Sequence, residues 1–406
     1  MIYLISFLTF TGLMLILVFL LLFVEGKIVI KGEKTVIIND REDKKLKVRT
    51  GSTLLSNLSN NKIFLPSACG GGGACGMCKC KITEGGGSVM PTELAHLSRK
   101  EIKDNIRLAC QLKVKDDLKI YIPNEIFSIR KYNAAVVSNE NVATFIKELI
   151  VKLDEGQELN FKAGSYIQID IPEYEMSFGE LRARIADRFK TAWDRFNLWG
   201  LKSKSVLPIF RAYSLANPPF EKNRLRFTIR IATPPGGTQL PPGVGSSYIF
   251  YLKPGDKVTL SGPYGEFFIK NTNREMCFIG GGAGMAPLHS QILDQLLSFK
   301  TNRIMTFWYG ARSKQEMFYD EEFKELASKH DNFSYYIALS EPQKEDNWEG
   351  LTGFIHNCLY DTYLSKHKDP TEIEYYLCGP PPMINAVLKM LDNLGVEPEI
   401  IAFDKF

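Results

Sequence analysis

Apolar and polar positions follow distinct rhythms along the chain, and each rhythm predicts a different kind of element. From Ile2 to Val24 the chain carries no charge and is dominated by Leu, Ile, Phe and Val. At 1.5 Å per residue this run reaches about 34 Å, enough to cross a bilayer. It predicts a single transmembrane helix over 2–24. A cleaved signal peptide is the competing reading, but no basic segment precedes the run, the run is too long, and no small-x-small site stands before the first charges. Those charges, Glu25, Lys27, Lys31 and Lys34, all follow the helix. The positive-inside tendency then leaves the N-terminus outside and the body in the cytoplasm.

Over 29–125 the pattern is that of a compact α+β unit. Strand-like Val36 to Ile38, a turn at Asn39-Asp40, a strand from Lys45 to Arg49 and a short helix from Ser52 to Asn60 come first; strands Lys79 to Ile82 and Leu118 to Ile122 follow. That order fits a β-grasp domain. Residues Ser128 to Asn133 read as a linker. Over 130–270, short alternating runs (Ala135 to Val137, Leu149 to Leu153, Ser165 to Ile169, Phe227 to Ile231, Lys257 to Leu260) separated by Pro-Gly turns predict an antiparallel barrel. One stretch interrupts it: Leu181, Ile185, Phe189, Trp193 and Phe196 recur at helical spacing within Phe178 to Leu198. This insertion is expected to be an amphipathic surface helix packed on the barrel rather than on a membrane, because its flanking charges are mixed in sign. Over 273–406, strands Met276 to Gly280, Arg303 to Tyr309, Phe333 to Leu339 and Tyr375 to Cys378 alternate with helices Ala286 to Phe299, Glu321 to Lys329 and Met383 to Leu394. This predicts an α/β parallel-sheet domain.

Composition changes this picture little. At 406 residues the chain has room for two to four domains. Its 45% hydrophobic content and net charge of +4 are ordinary for folded protein and give no argument for nucleic-acid binding.

Cysteine spacing changes it a great deal. Cys69, Cys75 and Cys78 stand as C-x5-C-x2-C in a glycine-rich loop, and Cys110 follows at a distance in Arg107 to Gln111. A 2Fe-2S cluster needs this from a chain: thiolates from one wrapping loop and one remote clamp. The glycines suit a loop that must offer bare N–H groups close to a cluster. A structural zinc site is the alternative, but zinc usually takes paired C-x2-4-C knuckles, and only one such pair is present. Disulfides fit less well, since eight cysteines in this length are far from a disulfide-dense composition. Cys80 departs from the usual loop and reads as a buried strand cysteine.

Three further stretches carry candidate chemistry. Phe278 to Pro287 runs from a strand through glycines into a helix with proline in its first turn, a cradle for a pyrophosphate. It lacks the third glycine of the standard dinucleotide fingerprint, so tight packing is the competing reading. Arg211-Ala212-Tyr213-Ser214 places a cationic fork, an aromatic plate and a hydroxyl together, and Gly243 to Ser247 opens a second possible phosphate-binding helix. An exposed arginine and a core tyrosine would give the same composition. Cys378 ends a strand before Gly379-Pro380-Pro381, with no histidine nearby to activate it. The five histidines, His96, His289, His330, His356 and His367, form no metal pattern and receive no role.

Taken together, these motifs carry a resemblance. Arg-x-Tyr-Ser at 211–214, Gly-x-x-Ser at 243–246, Gly-x-Gly-x-x-Pro at 282–287 and Cys-Gly-Pro-Pro at 378–381, in this order, resemble the ferredoxin:NADP-reductase superfamily. With the N-terminal helix, the cysteine loop and Trp-Tyr-Gly-Ala-Arg-Ser at 308–313, essentially the whole chain resembles the F subunits of Na+-translocating NADH:quinone oxidoreductases. The resemblance implies that NADH binds across Gly282, Gly284, Pro287, Cys378, Gly379 and Pro380. It implies that FAD is held by Arg211, Tyr213, Ser214, Gly243, Ser246 and Ser247, and that Cys69, Cys75, Cys78 and Cys110 hold a 2Fe-2S cluster. A flavin is needed because nicotinamide gives two electrons as a hydride and the cluster takes one. The terminal Phe406 is expected to cover the flavin face, as an aromatic near the C-terminus often does in the superfamily. Partners are other membrane subunits of the complex and, through 2–24, the lipid bilayer of a bacterial inner membrane; no nucleic acid is expected. Ion movement would belong to those partners, since one helix without an intramembrane charge is no ion path. Arg312 and Lys314 leave NADPH open from residues alone. The rival readings are a soluble oxygenase reductase, opposed by Ile2 to Val24 and the insertion, and a zinc-stapled membrane adaptor without enzymatic activity.

Overall fold

The computed structural model of the chain describes residues 2–28, 32–238 and 240–405. It divides into two compact units, Met1–Arg130 and Lys131–Phe406. The boundary falls inside the expected linker, which is shorter than expected because a strand already begins at Arg130.

The first unit opens with a helix, Ile2–Ile28, of 27 residues. Phe7, Leu13, Ile16 and Phe19 lie exposed on it, and the hydroxyls of Thr9 and Thr11 donate back to Ile5 O and Phe7 O within the helix, at 2.9 and 2.8 Å. Side chains are described along it only as far as Leu20, and among the described residues no helix is long and apolar enough to cross a membrane. A five-stranded sheet follows in the order Arg41–Arg49, Glu33–Ile38, Leu118–Tyr121, Lys79–Glu84, Ile106–Leu108. Glu33–Ile38 and Leu118–Tyr121 pair in parallel and the other three pairs are antiparallel, the β-grasp order. The helix Leu54–Asn60 starts two residues later than expected because Thr53 caps it, its side chain accepting from Ser56 N at 3.2 Å. Leu54, Leu55 and Leu58, at i, i+1 and i+4, are buried.

The second unit contains two six-stranded sheets. The first runs Ile209–Ser214, Tyr166–Ile171, Lys257–Tyr264, Arg130–Ala143, Ile146–Leu153, Arg224–Arg230. Ile209–Ser214 lies antiparallel to Tyr166–Ile171, and Ile146–Leu153 antiparallel to both its neighbours. Alternate positions (Val136, Leu149, Val151, Ile167, Ile169, Phe227, Ile229) share one buried core, which is why the sequence alternates there.

The insertion differs from expectation in shape. It is a 3-10 turn Phe178–Arg184 and a helix Asp187–Arg195, flanked by paired strands Tyr174–Ser177 and Lys202–Ser205. Phe178, Leu181, Ile185, Phe189 and Trp193 are buried with Ile231 and Phe250 of the sheet half, so the apolar stripe packs on the protein. Each large side chain so buried contributes about 1.5–3 kcal/mol. Phe196, counted in the stripe, lies half exposed because the helix ends before it, and it meets Phe145 edge-on at 5.9 Å.

The second sheet is wholly parallel, in the order Leu351–Thr352, Phe333–Leu339, Met305–Ala311, Glu275–Gly281, Ile373–Gly379, Ile401–Lys405. Alternate residues of one strand feed opposite cores: Met276 and Phe278 enter one, Cys277 and Ile279 the other. Burial on both faces is the mark of a parallel sheet covered by helices, and it explains the unbroken apolar runs. The two outermost strands, Leu351–Thr352 and Ile401–Lys405, are additions to the expected set. The helix predicted over Ala286 to Phe299 is an α-helix only over Met285–Leu293 and finishes as a π turn, Asp294–Ser298.

Candidate functional site

In the first unit, backbone pairing delivers the remote cysteine. Lys79 pairs with Leu108 and Ala109 N donates to Cys78 O at 2.9 Å, which brings Cys110 beside Cys78. The four thiols fall into two pairs. Cys75 and Cys69 are 3.4 Å apart at sulfur, and Cys78 is hydrogen-bonded to Cys110. Within each pair the hydrogen bond shifts the two thiols in opposite directions. The hydrogen bond from Cys75 takes the Cys69 thiol down to about 3, and the bond from Cys78 takes Cys110 down to about 6, both against burial. Cys75 and Cys78 are pushed up by the same bonds and by burial.

Among the described residues no three of His, Cys, Asp or Glu gather round one metal position. Two thiol pairs match a centre of two metal ions, each taking two thiolates. The loop fits such a group in its backbone too. Gly73 has φ 77°, and a Cβ there would lie 2.5 Å from Gln111 Nε2, whose amide also donates to Cys110 Sγ at 3.5 Å. Cys80 lies buried on its strand, its thiol directed at Arg107 O at 3.8 Å and pushed up to about 12 by burial.

A buried ion pair beside this loop had no signal in the sequence. Arg107 donates to both oxygens of Glu93, with Nη2 at 2.6 Å, and through Nη1 to Gly86 O at 2.7 Å. Glu93 also accepts from Met90 N and Leu108 N, each at 2.8 Å. Burial raises the Glu93 carboxyl, and these hydrogen bonds outweigh it and hold it below its usual range.

In the second unit, Arg211, Tyr213 and Ser214 lie on the strand Ile209–Ser214. Arg211 and Tyr213, two apart, share one face. Arg211 Nη1 donates to Phe210 O at 2.8 Å. Burial pushes the Tyr213 hydroxyl up. The helix Val244–Tyr251 begins directly on these residues. A Cβ at Gly245 would meet Arg211 Cγ at 2.6 Å and Tyr213 Oη at 2.8 Å, so Gly245 lets the helix N-terminus approach the motif strand. Gly245 belongs to the stretch Gly243 to Ser247 expected to open a second phosphate-binding helix, although the set expected to hold FAD takes only Gly243, Ser246 and Ser247 from it. Ser246 Oγ accepts from Ala232 N at 3.0 Å and donates to Gly243 O at 3.2 Å, which anchors the turn. Ser247 is fully buried and its hydroxyl has no partner among the described residues. A cationic fork, a helix N-terminus and a spare buried hydroxyl fit the phosphates and ring of a flavin nucleotide.

The parallel sheet reverses its strand order between Glu275–Gly281 and Ile373–Gly379, and ligands of such sheets bind beyond the strand ends at that point. Both expected nucleotide motifs end there. A Cβ at Gly284 would lie 2.2 Å from Cys378 O and 2.6 Å from Gly379 N, and one at Gly281 would lie 3.6 Å from Pro380 Cδ. Pro287 is buried in the first turn of Met285–Leu293. The Cys378 thiol is buried and held well above its ordinary range, so it packs rather than attacks. Arg312 is paired with Glu341 at 3.5 Å. Phe406 lies outside the described residues. The segment before it is a strand, with Cys378 paired to Asp404 and Gly379 to Lys405, and Phe403 is exposed on it.

Comparison with known proteins matches these parts in order. Three family models match: a 2Fe-2S iron-sulfur cluster binding domain at residues 37–115, an oxidoreductase FAD-binding domain at 202–269 and an oxidoreductase NAD-binding domain at 278–389. In fold the chain is similar to the Amycolatopsis cytochrome P450 reductase GcoB, with a TM-score of 0.64 and 23% identity over 92% of this chain and 98% of that one. It is also similar to the ferredoxin reductase in carbazole 1,9a-dioxygenase, with a TM-score of 0.59 and 26% identity over 92% and 98%. In sequence it is 52% identical to the F subunit of the Na(+)-translocating NADH-quinone reductase of Idiomarina loihiensis, and 51% identical to that of Haemophilus ducreyi, each over 98% of this chain and 97% of the relative. Identity of this degree over nearly the full length of both chains makes the chain a member of the family of F subunits of Na(+)-translocating NADH-quinone reductases.

Proposed function

We propose that this chain is the entry point for electrons into a membrane NADH:quinone reductase. FAD, when bound, takes a hydride from NADH and releases its electrons singly, as a 2Fe-2S centre requires. The chain's own residues bind and orient. Arg211 would pair with phosphate, Tyr213 would cover the flavin and Ser214 would bond its ring, with Gly243, Ser246 and Ser247 shaping the pyrophosphate cradle. Gly282, Gly284, Pro287, Cys378, Gly379 and Pro380 would hold NADH, and Phe406 would stack near the flavin. Cys69, Cys75, Cys78 and Cys110 would hold the cluster. No side-chain acid or base is required for hydride transfer between two bound nucleotides.

The observation that carries this reading is the gathering of four thiols, Cys69 beside Cys75 and Cys78 beside Cys110, on one glycine-rich loop and its remote clamp, the thiolate set a 2Fe-2S centre takes. The purified protein should be yellow-brown and should bleach on anaerobic addition of NADH, with a one-electron EPR signal developing. A colourless, zinc-containing protein would overturn it.

The domain limits 29–125, 130–270 and 273–406 belong to the same reading, as does closure of the first sheet of the second unit into the flavin barrel. So does a bilayer span by the helix Ile2–Ile28, supported by its uncharged sequence from Ile2 to Val24. With the basic residues following it, the N-terminus faces outward and the cofactor domains face the cytoplasm of a bacterial inner membrane. There the other subunits carry electrons to quinone and move sodium. A form lacking residues 1–28 should still oxidise NADH with an artificial one-electron acceptor at the intact rate, since every cofactor motif lies beyond the helix. Its quinone reduction in membranes should fall to background. If the shortened protein reduced membrane quinone as fast as the intact one, the helix would have no docking role.

A further inference from the structure

We propose that His289 is a positioning residue for hydride transfer, a doubly hydrogen-bonded clamp that fixes the dinucleotide helix against the flavin strand; this rests on the reading of the second unit as the NADH and FAD site. His289 is fully buried on Met285–Leu293, two residues beyond Pro287. Its Nδ1 lies 2.6 Å from Ala216 O and its Nε2 lies 3.1 Å from Glu322 Oε2. The next residue repeats the attachment, with Ser290 Oγ donating to Asn217 O at 2.7 Å. Ala216 and Asn217 closely follow the Arg-x-Tyr-Ser strand. The helix that begins at the nucleotide loop is therefore tied to backbone two residues from Ser214.

Hydrogen-bond chemistry makes the clamp depend on a donor facing Ala216 O. A carbonyl oxygen only accepts, so Nδ1 carries a hydrogen toward Ala216 O, and Nε2 stands against the Glu322 carboxylate. A ring with both nitrogens engaged spans three elements at once: the flavin strand's continuation, the dinucleotide helix and the helix Asp320–Lys329, which carries Glu322. The other groups facing it complete a second arm. Tyr319 lies against the imidazole at 4.6 Å, and its hydroxyl donates to Glu148 of the flavin half. Arg226 Nε stands 3.7 Å from Glu148, with its guanidinium 5.8 Å over the Tyr319 ring. Tyr319 has φ 61°, a left-handed conformation unfavourable for a residue with a Cβ, which the chain accepts in order to place this ring at the junction. Phe323 closes the remaining side of the imidazole at 5.5 Å.

Hydride transfer needs reacting atoms about 3–3.5 Å apart, and a displacement of about 1 Å costs on the order of 100-fold in rate. A clamp between the two nucleotide-holding segments thus acts on the limiting rate more than on affinity. In the full-chain holoprotein, His289→Leu should lower the limiting rate of flavin reduction at saturating NADH by about tenfold or more, with half-saturation changed less than about twofold. His289→Gln, which keeps a donor for Ala216 O, should recover most of that loss. Amide hydrogen exchange over 285–293 in the FAD-loaded protein without NADH should speed up in the leucine variant and less so in the glutamine one. Flavin content and the iron–sulfur EPR signal should stay at wild-type values in both. A leucine variant that keeps its flavin and reduces at the wild-type limiting rate overturns the proposal, as does a loss confined to half-saturation. If the leucine variant fails to fold, Tyr319→Phe decides, since it removes one hydroxyl from the second arm. A fall in limiting rate of about threefold or more supports the clamp, and an unchanged rate overturns it. Failure of the wild-type protein to accept electrons from NADH would instead sink the functional reading, and the exchange measurement, which needs no NADH, would still decide the clamp.

Discussion

Cys110→Ala should yield a protein that binds FAD and is reduced by NADH at the normal rate but shows no iron–sulfur EPR signal. Cys110 is delivered to Cys78 only by the pairing of Lys79–Glu84 with Ile106–Leu108, and no other described thiol can take its place. Cys80 is the nearest rival in sequence, yet it is buried on its own strand with its thiol toward Arg107 O. Removing one of four ligands should therefore empty the centre, a larger effect than the ~10–100-fold that loss of an outer partner costs. Electron transfer onward to quinone should fall to background, while the flavin half, in a separate compact unit, is untouched. Cys80→Ala should keep the signal. A normal EPR spectrum from reduced Cys110→Ala would remove Cys110 from the ligand set.

Gly284→Val should have the converse effect. The Gly284 backbone is helical in φ at −60°, so any residue tolerates the conformation, and the cost is purely steric. A Cβ would stand 2.2 Å from Cys378 O and 2.3 Å from its carbonyl carbon, both backbone atoms that no side-chain rotation can clear. The two loop ends would have to separate, at about 1–3 kcal/mol for overpacking. A displacement of about 1 Å in a bound dinucleotide costs on the order of 100-fold in hydride transfer. Stopped-flow flavin reduction by NADH should slow by that order while flavin content and the iron–sulfur signal persist. Reduction at the wild-type rate would mean that this convergence is not where NADH binds.

Much of the architecture was legible because it is written in local pattern. Period-two runs such as Phe227 to Ile231 and period-3.6 runs such as Leu181 to Trp193 reflect which side of one element is buried, and that information sits within a few residues of itself. The insertion was recognised as amphipathic for this reason. It was misjudged as one helix because at the break Ala186 N donates to Asn141 Oδ1 rather than continuing the turn, and Asn141 is remote in the sequence. The outer strands Leu351–Thr352 and Ile401–Lys405 escaped notice because they are short and exist through pairing with a neighbour already formed.

By itself the sequence determined the order of the motifs, the classes of the ferredoxin and parallel-sheet domains and which four thiols are candidates for the cluster, since loop spacing, glycine content and periodicity are properties of contiguous residues. Only the tertiary structure decided which thiols pair, how Gly284 meets Cys378, that Gly245 brings a helix onto Arg211 and Tyr213, and that His289 joins Ala216 to Glu322. Each of these is a contact that local pattern does not specify. Its distance is set by strand register and sheet order, and those depend on the burial of many apolar side chains together rather than on any residue near the contact.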